Sequence, residues 1–199
     1  MIKRCFDFFC AFLGIILLSP LFLLVSLWVL IDSGLPVFYC QVRVGKGGVD
    51  FMLLKFRTML PGSEAKGLLT VGKDARVTKA GRFLRKYRFD EIPQLWNVMC
   101  GEMSLVGPRP EVRKYVNLYS DAQKKALSVR PGITDRASIE YVNEHSLLAA
   151  SADPEQTYIT EVMPAKLKIS IAYMERAGFF SDLGIIFLTL VRISAIKST

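Results

Sequence analysis

The chain has 199 residues, of which 51% are hydrophobic, and its 26 Lys and Arg against 18 Asp and Glu give a formal charge of +8. This length suits one domain with a core of its own, and the composition excludes a disordered or low-complexity chain. The positive charge suits an anionic partner such as a membrane surface, a phosphorylated substrate or nucleic acid. The four cysteines form no Cys-x-x-Cys pair, which argues against a disulfide framework or a zinc site.

The N-terminal part of the chain is uncharged from Phe8 to Ile31, which is long enough to cross a hydrocarbon core of about 20 apolar residues. A cleavable signal peptide fits less well, because the segment exceeds an h-region and no small-x-small site follows it. Ser19-Pro20 interrupts the segment, and a proline there predicts a sharp bend. The preceding basic residues favour a cytoplasmic N-terminus, so a straight span would export the basic remainder of the chain. We therefore predict a re-entrant membrane helix over residues 1–32 and a cytoplasmic domain over residues 33–199.

The rest of the chain predicts an α+β fold in which helices dominate. Two β-prone segments, Val37–Val44 and Val49–Phe56, flank a glycine-rich turn and predict a β-hairpin. Apolar periodicity predicts helices over Thr78–Arg88, Asp90–Met99, Glu111–Val129, Pro164–Arg176 and residues 179–193. The last of these helices either packs in the core or lies in a membrane interface. Residues 62–72 and 135–160 are expected to include mobile loops that shape specificity.

The densest group of reactive residues surrounds Asp90 and Glu91, which follow Arg85 and Arg88. The first turn of a helix carries unpaired N–H groups and a partial positive charge, so it attracts phosphate. Together with the two arginines, it should keep Asp90 ionised as a nucleophile or a metal ligand. Glu91 is placed to share a Mg²⁺ ion with it. The plainer alternative is that Asp90 is only the N-cap of a helix with an acidic first turn.

Three further motifs supply cations. Lys55 and Arg57 end the second strand of the predicted hairpin, Arg109 stands between two prolines, and Arg130 precedes a Pro-Gly pair suited to a type II turn. A guanidinium on a stiff turn loses little entropy when it forms a bidentate contact with phosphate. Each motif alone also fits an ordinary turn with a solvated arginine. The predicted substrate-binding residues are Lys55, Arg57, Arg85, Arg88, Arg109 and Arg130.

Five segments follow one another along nearly the whole chain: Ser19-Pro20, Lys55-Phe56-Arg57-Thr58-Met59, Asp90-Glu91, Val106-Gly107-Pro108-Arg109-Pro110 and Arg130-Pro131-Gly132-Ile133-Thr134. In this combination the sequence resembles the monotopic phosphoglycosyl transferases of the bacterial sugar transferase family, which are undecaprenyl-phosphate sugar phosphotransferases. The resemblance implies a helix-dominated monotopic fold with a re-entrant helix broken at Ser19-Pro20, a β-hairpin and interfacial amphipathic helices. It also implies a location on the cytoplasmic face of the bacterial inner membrane.

The same resemblance implies a two-step reaction with Mg²⁺ as cofactor. Asp90 would attack the β-phosphate of a UDP-sugar and release UMP, and polyprenyl (undecaprenyl) phosphate would then attack the phosphosugar-Asp intermediate. Asp90 and Glu91 would be the catalytic residues and the metal ligands, while the metal and the arginines neutralise phosphate charge. This would be the first membrane step of O-antigen, capsule or glycoprotein glycan synthesis. The expected partners are both substrates and inner-membrane lipids, with a second copy of the chain left open.

Two stretches differ from the pattern found in many relatives. Asp135-Arg136-Ala137-Ser138 stands where many relatives have Gly-Trp-Ala-Gln. Lys168, Ser170 and Tyr173 occupy a later stretch that often carries an acidic residue. These differences leave the preferred sugar open.

Two other classes of function remain as alternatives at this point. A catalytically silent membrane adaptor that recruits later glycosyltransferases is the first, and the intact Asp90-Glu91 pair argues against it. A nucleic-acid binder is the second, but no platform of interleaved aromatic and basic residues accompanies the charge. We therefore expect no nucleic-acid partner.

Overall fold

The computed structural model describes residues 2–63, 69, 70, 72 and 74–194, and it confirms that helices dominate. The elements in chain order are α1 (Ile2–Leu17), α2 (Ser19–Ser33), β1 (Phe38–Val44), β2 (Asp50–Phe56), α3 (Lys79–Lys86), α4 (Gln94–Cys100), β3 (Ser104–Val106), α5 (Arg113–Val116), α6 (Asp121–Lys124), β4 (Gly132–Thr134), α7 (Arg136–Glu140), α8 (Glu144–Ala149), α9 (Pro154–Thr157), α10 (Met163–Met174) and α11 (Phe179–Ser194). Short 3₁₀ turns lie at Lys46–Gly48, Phe89–Glu91 and Lys125–Ser128, and a π-helical turn at Tyr158–Val162.

The break predicted at Ser19-Pro20 separates α1 from α2, which are bent by 62°. Pro20 has no N–H group to donate to the carbonyl oxygen of Ile16, and the Ser19 hydroxyl donates to that oxygen instead at 2.8 Å. Among the described residues no single helix combines the length and apolar character of a membrane span, whereas this bent pair does so when taken together. At the bend itself, the Ser19 hydroxyl supplies the hydrogen bond to the Ile16 carbonyl that Pro20 cannot donate.

The first helix is also part of the protein core. Ala11 is fully buried and packs with Val98 of α4 and Met103. The Asp7 carboxylate is buried and accepts hydrogen bonds from the Ser104 hydroxyl at 2.8 Å and the Leu105 amide at 3.3 Å. The α1 helix is thereby fixed to α4 on one side and to β3 on the other.

The predicted β-hairpin is confirmed, with β1 and β2 antiparallel from Phe38 opposite Phe56 to Val44 opposite Asp50. After it, α3 begins at the predicted place, where the Thr78 hydroxyl accepts a hydrogen bond from the Gly81 amide at 2.9 Å. A Cβ on Gly81 would lie 2.1 Å from the Thr58 carbonyl oxygen. Only glycine thus permits α3 to lie directly against the chain that leaves β2.

A parallel pair of three-residue strands joins two motifs that the sequence analysis assigned to turns. Ser104 of β3 lies opposite Gly132 of β4. A Cβ on Gly132 would lie 2.1 Å from the amide nitrogen of Gly107, and one on Gly107 would lie 2.4 Å from the carbonyl oxygen of Arg130. The two glycines therefore let the backbones of the two motifs touch.

One prediction for the middle of the chain is wrong. The single helix predicted over Glu111–Val129 is divided into α5, α6 and a 3₁₀ turn, because Ser120 and Gln123 form a capping box that starts a new helix. Residues 135–160, expected to include loops, contain α7, α8 and α9 with short loops between them, and two of these helices have the aspartate N-caps Asp135 and Asp153. The loop expected over residues 62–72 lies in part outside the described residues. The helices predicted over Pro164–Arg176 and residues 179–193 are confirmed as α10 and α11.

The contact between Gly107 and Gly132 predicts that Gly132→Ala lowers the free energy of unfolding by about 3 kcal/mol, since the added methyl group has no space beside the opposite backbone. Gly184→Ala in α11 is a matched control. Among the described residues, no atom beyond the adjoining backbone of its own helix lies within 4 Å of the added Cβ, so this variant should be neutral or raise stability by about 0.5 kcal/mol. Urea unfolding monitored by circular dichroism measures both changes, and equal stability of the two variants would contradict the backbone contact.

Candidate active site

Asp90 and Glu91 lie in the 3₁₀ turn between α3 and α4, and both are buried. The turn starts at Arg88, whose backbone is left-handed with φ 58°, an unfavourable conformation for a residue with a Cβ. The prediction that Asp90 caps the next helix is wrong. That helix begins only at Gln94, with Pro93 at its N-cap and no side-chain cap. The Asp90 carboxylate is therefore free for another role.

Glu91 is the centre of a group of four charged residues, which we call the Glu91 cluster (Lys55, Arg88, Glu91 and Arg109). Lys55 Nζ lies 3.1 Å from Glu91 Oε1, and Arg88 Nη1 lies 3.4 Å from Oε2. Arg109 makes a two-point contact, with Nη1 3.3 Å from Oε2 and Nη2 also bonded to Oε1. Three cations from three separate segments thus converge on one carboxylate that is 6% exposed.

The charges in the Glu91 cluster set its protonation states. Burial alone would raise the pKa of Glu91, but Arg109, Lys55 and Arg88 together hold this pKa well below its ordinary value. The negative charge of Glu91 in turn raises the pKa of Arg109. Burial lowers the pKa of Lys55, against the opposing effect of Glu91. Glu91 is therefore ionised and Arg109 cationic at neutral pH.

Asp90 has a different environment from its neighbour. Its side chain forms no hydrogen bond or ion pair with any residue that the structure describes, although the residue is only 8% exposed. Burial raises the pKa of Asp90, the adjacent charge of Glu91 raises it further, and Lys55, Arg85 and Arg109 oppose the rise. A carboxylate that is desolvated and has no donor is poorly stabilised, which makes it a stronger nucleophile.

Arg85 lies close to this site without joining the Glu91 cluster. Its Nε donates to the Thr58 hydroxyl at 2.8 Å and its Nη1 to the Thr70 hydroxyl at 3.1 Å. Burial lowers the pKa of Arg85, and Asp90 is the strongest of the charges that oppose this. Arg85 thus contributes positive potential at Asp90 and holds Thr70 beside α3.

The other two predicted substrate-binding residues are attached to helix ends. Arg57 is 5% exposed, and its Nη2 donates to the carbonyl oxygens of Ser33 and Gly34, both at 2.6 Å, at the end of α2. Arg130 Nε donates to the Gly101 carbonyl oxygen at 2.7 Å, at the end of α4. Both guanidinium groups face the negative end of a helix, where a cation stabilises the last carbonyls. The structure does not bring either one into the Glu91 cluster.

Of the two carboxylates at this site, only that of Asp90 is available to a metal ion. Among the described residues, no three or more His, Cys, Asp and Glu side chains form a group that could hold a metal ion by themselves. Mg²⁺ commonly binds one or two carboxylates and completes its shell with water and substrate phosphates. Asp90 fits this mode because none of the described residues pairs with its carboxylate, whereas both Glu91 oxygens already face cations. Participation of Glu91 requires Arg88 or Arg109 to turn toward another anion.

Asn97, which the sequence motifs do not include, holds β2 against α4 at the site. Asn97 of α4 is buried, accepts a hydrogen bond from the Leu54 amide at 3.1 Å and donates to the Met52 carbonyl at 2.8 Å. It thus occupies the free edge of β2 beside Lys55 and holds this strand against the helix that follows Glu91. The sequence alone offers only a weak signal for this role, a polar residue between the apolar pairs Leu95-Trp96 and Val98-Met99.

The two stretches that differ from many relatives are in contact with each other. Asp135 Oδ2 accepts a hydrogen bond from the Ser170 hydroxyl at 2.7 Å, while Oδ1 caps α7 through the Ser138 amide at 2.7 Å. The charge of Asp135 also contributes to the raised pKa of Arg109. The two differences therefore form one buried contact near the site.

The opposite pKa shifts of Asp90 and Glu91 predict opposite effects on stability. Glu91→Gln leaves three cations facing a neutral amide and should lower the free energy of unfolding at pH 7 by about 2–4 kcal/mol; the value is below that of a fully buried pair because Arg88 and Arg109 are about one-third exposed. Asp90→Asn removes a carboxylate whose charged form is penalised by burial, so it should raise the free energy of unfolding. Urea unfolding at pH 7 measures both.

A pH series provides the control for this pair of variants. Because the pKa of Glu91 is lower in the folded than in the unfolded chain, its stabilisation is complete above its ordinary value of 4.5 and is lost as the pH falls below it. The difference between the parent and Glu91→Gln should therefore shrink below pH 4.5. A loss of stability in Asp90→Asn at pH 7 would contradict the environment described for Asp90.

Comparison with known proteins shows similarity over nearly the whole chain. The family model described as bacterial sugar transferase matches residues 1–195. The "Uncharacterized sugar transferase EpsL" of Bacillus subtilis is 37% identical over 97% of this chain and 87% of its own length.

Two relatives whose names state an activity are longer than this chain. The "UDP-N-acetylgalactosamine-undecaprenyl-phosphate N-acetylgalactosaminephosphotransferase" of Aeromonas hydrophila is 36% identical over 95% of this chain but 43% of its own length. The "UDP-glucose:undecaprenyl-phosphate glucose-1-phosphate transferase" of Klebsiella pneumoniae is 34% identical over 96% of this chain and 39% of its own length. The chain spans less than half the length of each of these two proteins. Because the family model matches almost the whole of this chain, the chain belongs to the bacterial sugar transferase family.

Proposed function

We propose that this protein transfers a sugar 1-phosphate from a UDP-sugar to polyprenyl (undecaprenyl) phosphate and releases UMP. The reaction would be the first membrane step of bacterial glycoconjugate synthesis. The observation that carries the proposal is the buried Asp90 carboxylate, which has no hydrogen-bond partner among the described residues and adjoins the Glu91 cluster. The activities for which the Aeromonas and Klebsiella relatives are named support the same reaction class.

In the first proposed step, an Asp90 oxygen forms a bond to the β-phosphorus of the donor. The bond between this phosphorus and the bridging oxygen breaks, UMP leaves with the electron pair, and the sugar phosphate remains on Asp90 as an acyl phosphate. In the second step, an oxygen of polyprenyl phosphate attacks the same phosphorus and the Asp90 carboxylate leaves. Each step exchanges one P–O bond for another. Because both steps take place at Asp90, one site serves the water-soluble UDP-sugar and the lipid phosphate in turn.

The cations of the Glu91 cluster would bind the donor diphosphate. Arg88 and Arg109 have side chains that are 34% and 31% exposed, so phosphate oxygens can reach them from solvent. The Lys55 side chain is only 18% exposed, so it would contact only phosphate charge that reaches the centre of the site. When phosphate draws an arginine away from Glu91, both carboxylates of the pair can hold Mg²⁺, and the bound ion would neutralise charge on the phosphate oxygens.

Contacts at both ends of the bent helix pair support a re-entrant position in the bacterial inner membrane. At the start of α1, Arg4 donates to the Val98 and Met99 carbonyls at the end of α4. At the end of α2, Arg57 holds Ser33. Both ends are thus fixed to the same domain, while apolar side chains near the bend are exposed, such as Leu17 at 67% and Leu23 at 71%. A helix pair inserted from the cytoplasmic face would bury this apolar tip in lipid.

The surface of α3 supports contact with lipid headgroups beside α2. Lys79, Arg82, Phe83 and Lys86 stand at positions i, i+3, i+4 and i+7, so they share one side of the helix, and the buried residues Ala80 and Leu84 lie on another side. Together these four residues form a basic and aromatic stripe along α3. Phe83 also packs against Trp28 of α2 with ring centroids 5.2 Å apart. The stripe therefore adjoins the proposed membrane helix, where its cations would meet anionic headgroups.

The proposal predicts that Asp90→Asn lowers the rate of UMP release by at least about 10⁴-fold, because an amide cannot form the acyl phosphate. The assay combines purified protein, Mg²⁺, polyprenyl phosphate and a panel of UDP-sugars. Asp50→Asn is a matched control, since Asp50 is an exposed carboxylate of the hairpin that pairs with Arg113 outside the site. Full UMP release by Asp90→Asn would contradict the proposal. So would a parent protein that is inactive with every donor yet still recruits glycosyltransferases, which is the behaviour of an adaptor.

The re-entrant arrangement predicts that the start of α1 and the chain that follows α2 both lie on the cytoplasmic side of the membrane. In a variant without native cysteines, single cysteines at Ile2 and at Lys46, the hairpin turn, should react with an impermeant maleimide only in inverted vesicles. A cysteine at Leu24, which is 65% exposed and would contact lipid, is the unreactive control. Labelling of Ile2→Cys and Lys46→Cys from opposite sides would contradict the arrangement.

A further inference from the structure

The turn that carries Arg109 is held on both sides by main-chain oxygens. On one side, the Pro108 carbonyl accepts a hydrogen bond from the Gly132 amide at 3.0 Å. On the other side, the Pro110 carbonyl accepts from Arg43 Nη1 at 3.0 Å. The second contact lies outside the Glu91 cluster, and nothing in the sequence motif itself explains why an arginine of β1 should reach this turn.

Glu111 is the residue that fixes the second contact. Its Oε1 accepts hydrogen bonds from Arg43 Nη1 at 3.1 Å and from the Val112 amide at 2.8 Å. Its Oε2 accepts from the Tyr158 hydroxyl. Its main-chain oxygen accepts from the Val44 amide at 2.9 Å. Both carboxylate oxygens of Glu111 are therefore occupied by donors from the hairpin, from its own turn and from the segment before α10.

Arg43 is itself fixed in place. Its Nε and Nη2 both donate to Gln41 Oε1, at 3.0 and 2.7 Å, which leaves Nη1 aimed at the Arg109 turn. The side chains of Arg43 and Glu111 are 20% and 16% exposed, so water competes little with their ion pair. The pair is thus a rigid attachment between β1 and the Arg109 turn.

The short path from Glu111 to Arg109 is stiff. Only Pro110 separates them, and its ring fixes its own φ and restricts the backbone of Arg109. A displacement of Glu111 would therefore move the backbone of Arg109 relative to Glu91 and to the donor phosphates. We propose that Glu111 is a positioning residue, which acts through Arg43 and Tyr158 to place the Arg109 guanidinium for phosphoryl transfer. This inference rests on the proposed function and adds to it a determinant outside the Glu91 cluster.

The Tyr158 contact connects this positioning to the segment between α9 and α10. Tyr158 begins the π-helical turn Tyr158–Val162, is 5% exposed and packs against Tyr115 with ring centroids 5.0 Å apart. An extra residue in a helical turn redirects a side chain, and here the tyrosine hydroxyl points to Glu111. The conformation of this segment is therefore transmitted to the Arg109 turn.

A double-mutant cycle on UMP release tests the inference. Arg109→Ala should lower kcat by about 100-fold, as expected for the loss of one charge-stabilising donor. Glu111→Ala should lower kcat by about tenfold, with the KM for the UDP-sugar within about twofold of the parent, because a displaced Arg109 still binds the ground state. In the Arg109→Ala background, Glu111→Ala should have no further effect on kcat.

Tyr158→Phe repeats the cycle with a variant that keeps the aromatic ring and so preserves packing if Glu111→Ala does not fold. It should lower kcat by about threefold in the parent and not at all in the Arg109→Ala background. Glu155→Gln is the matched control, because Glu155 pairs with Lys114 and Tyr115 in the same region but has no contact with the Arg109 turn. It should leave kcat unchanged.

The possible outcomes distinguish the positioning role of Glu111 from the proposed function of the site. Losses that multiply in the double variants, or a kcat that is unaffected by both Glu111→Ala and Tyr158→Phe, would overturn the positioning role while leaving the proposed function intact. Full activity of Arg109→Ala would instead contradict the proposed site, and the positioning role with it. A loss that appears only when Arg109 is present would establish that Glu111 acts through this arginine.

Discussion

The pairing of Glu91 with three cations is the interaction on which the rest of the site depends. Lys55 comes from β2, Arg88 from the turn after α3 and Arg109 from the turn after β3. Three cations this close would repel one another without a shared counterion, and a buried Glu91 carboxylate would be unstable without them. The pairing therefore draws three separate segments together. It leaves the neighbouring Asp90 buried, with no hydrogen-bond partner among the described residues and with Lys55, Arg85 and Arg109 opposing the rise in its pKa.

Supporting contacts hold these segments at the required separation. Gly81 lets α3 lie against the chain after β2, and the Gly107–Gly132 contact joins the motifs of Arg109 and Arg130. Asn97 fastens β2 to α4, and Glu111 fastens the Arg109 turn to β1. The site is thus assembled by backbone contacts and by hydrogen-bonded polar side chains such as Asn97 and Glu111, an arrangement that gives fixed positions rather than maximal stability.

Sequence patterns predicted those parts of the fold that have a period or a strong local signal. The β-hairpin, the helix capped by Thr78, the last two helices and the break at Pro20 belong to this class. Three-residue strands such as β3 are too short to show alternation, so the parallel pair was missed. The division of the helix predicted over Glu111–Val129 depends on a capping box whose competition with continued helix cannot be judged from propensity alone.

The candidate site was predicted in part for a similar reason. Motifs correctly brought Lys55, Arg88 and Arg109 to the acidic pair, but they also included Arg57 and Arg130, which bind helix-terminal carbonyls. An arginine in a motif looks the same whether its partner is a carbonyl, a carboxylate or a phosphate, and only tertiary structure separates these cases. Asn97 and Arg43 were missed because their partners lie far away along the chain.

The central claim is that Asp90 becomes bonded to phosphorus during turnover, and intact-protein mass spectrometry tests it most directly. The protein is incubated with a UDP-sugar that it accepts and Mg²⁺, without polyprenyl phosphate, and is then quenched and mapped. The account predicts a mass increase equal to one sugar phosphate on Asp90, which disappears when the lipid phosphate is added. Product formation with no such adduct, or with the adduct on another residue, would contradict it.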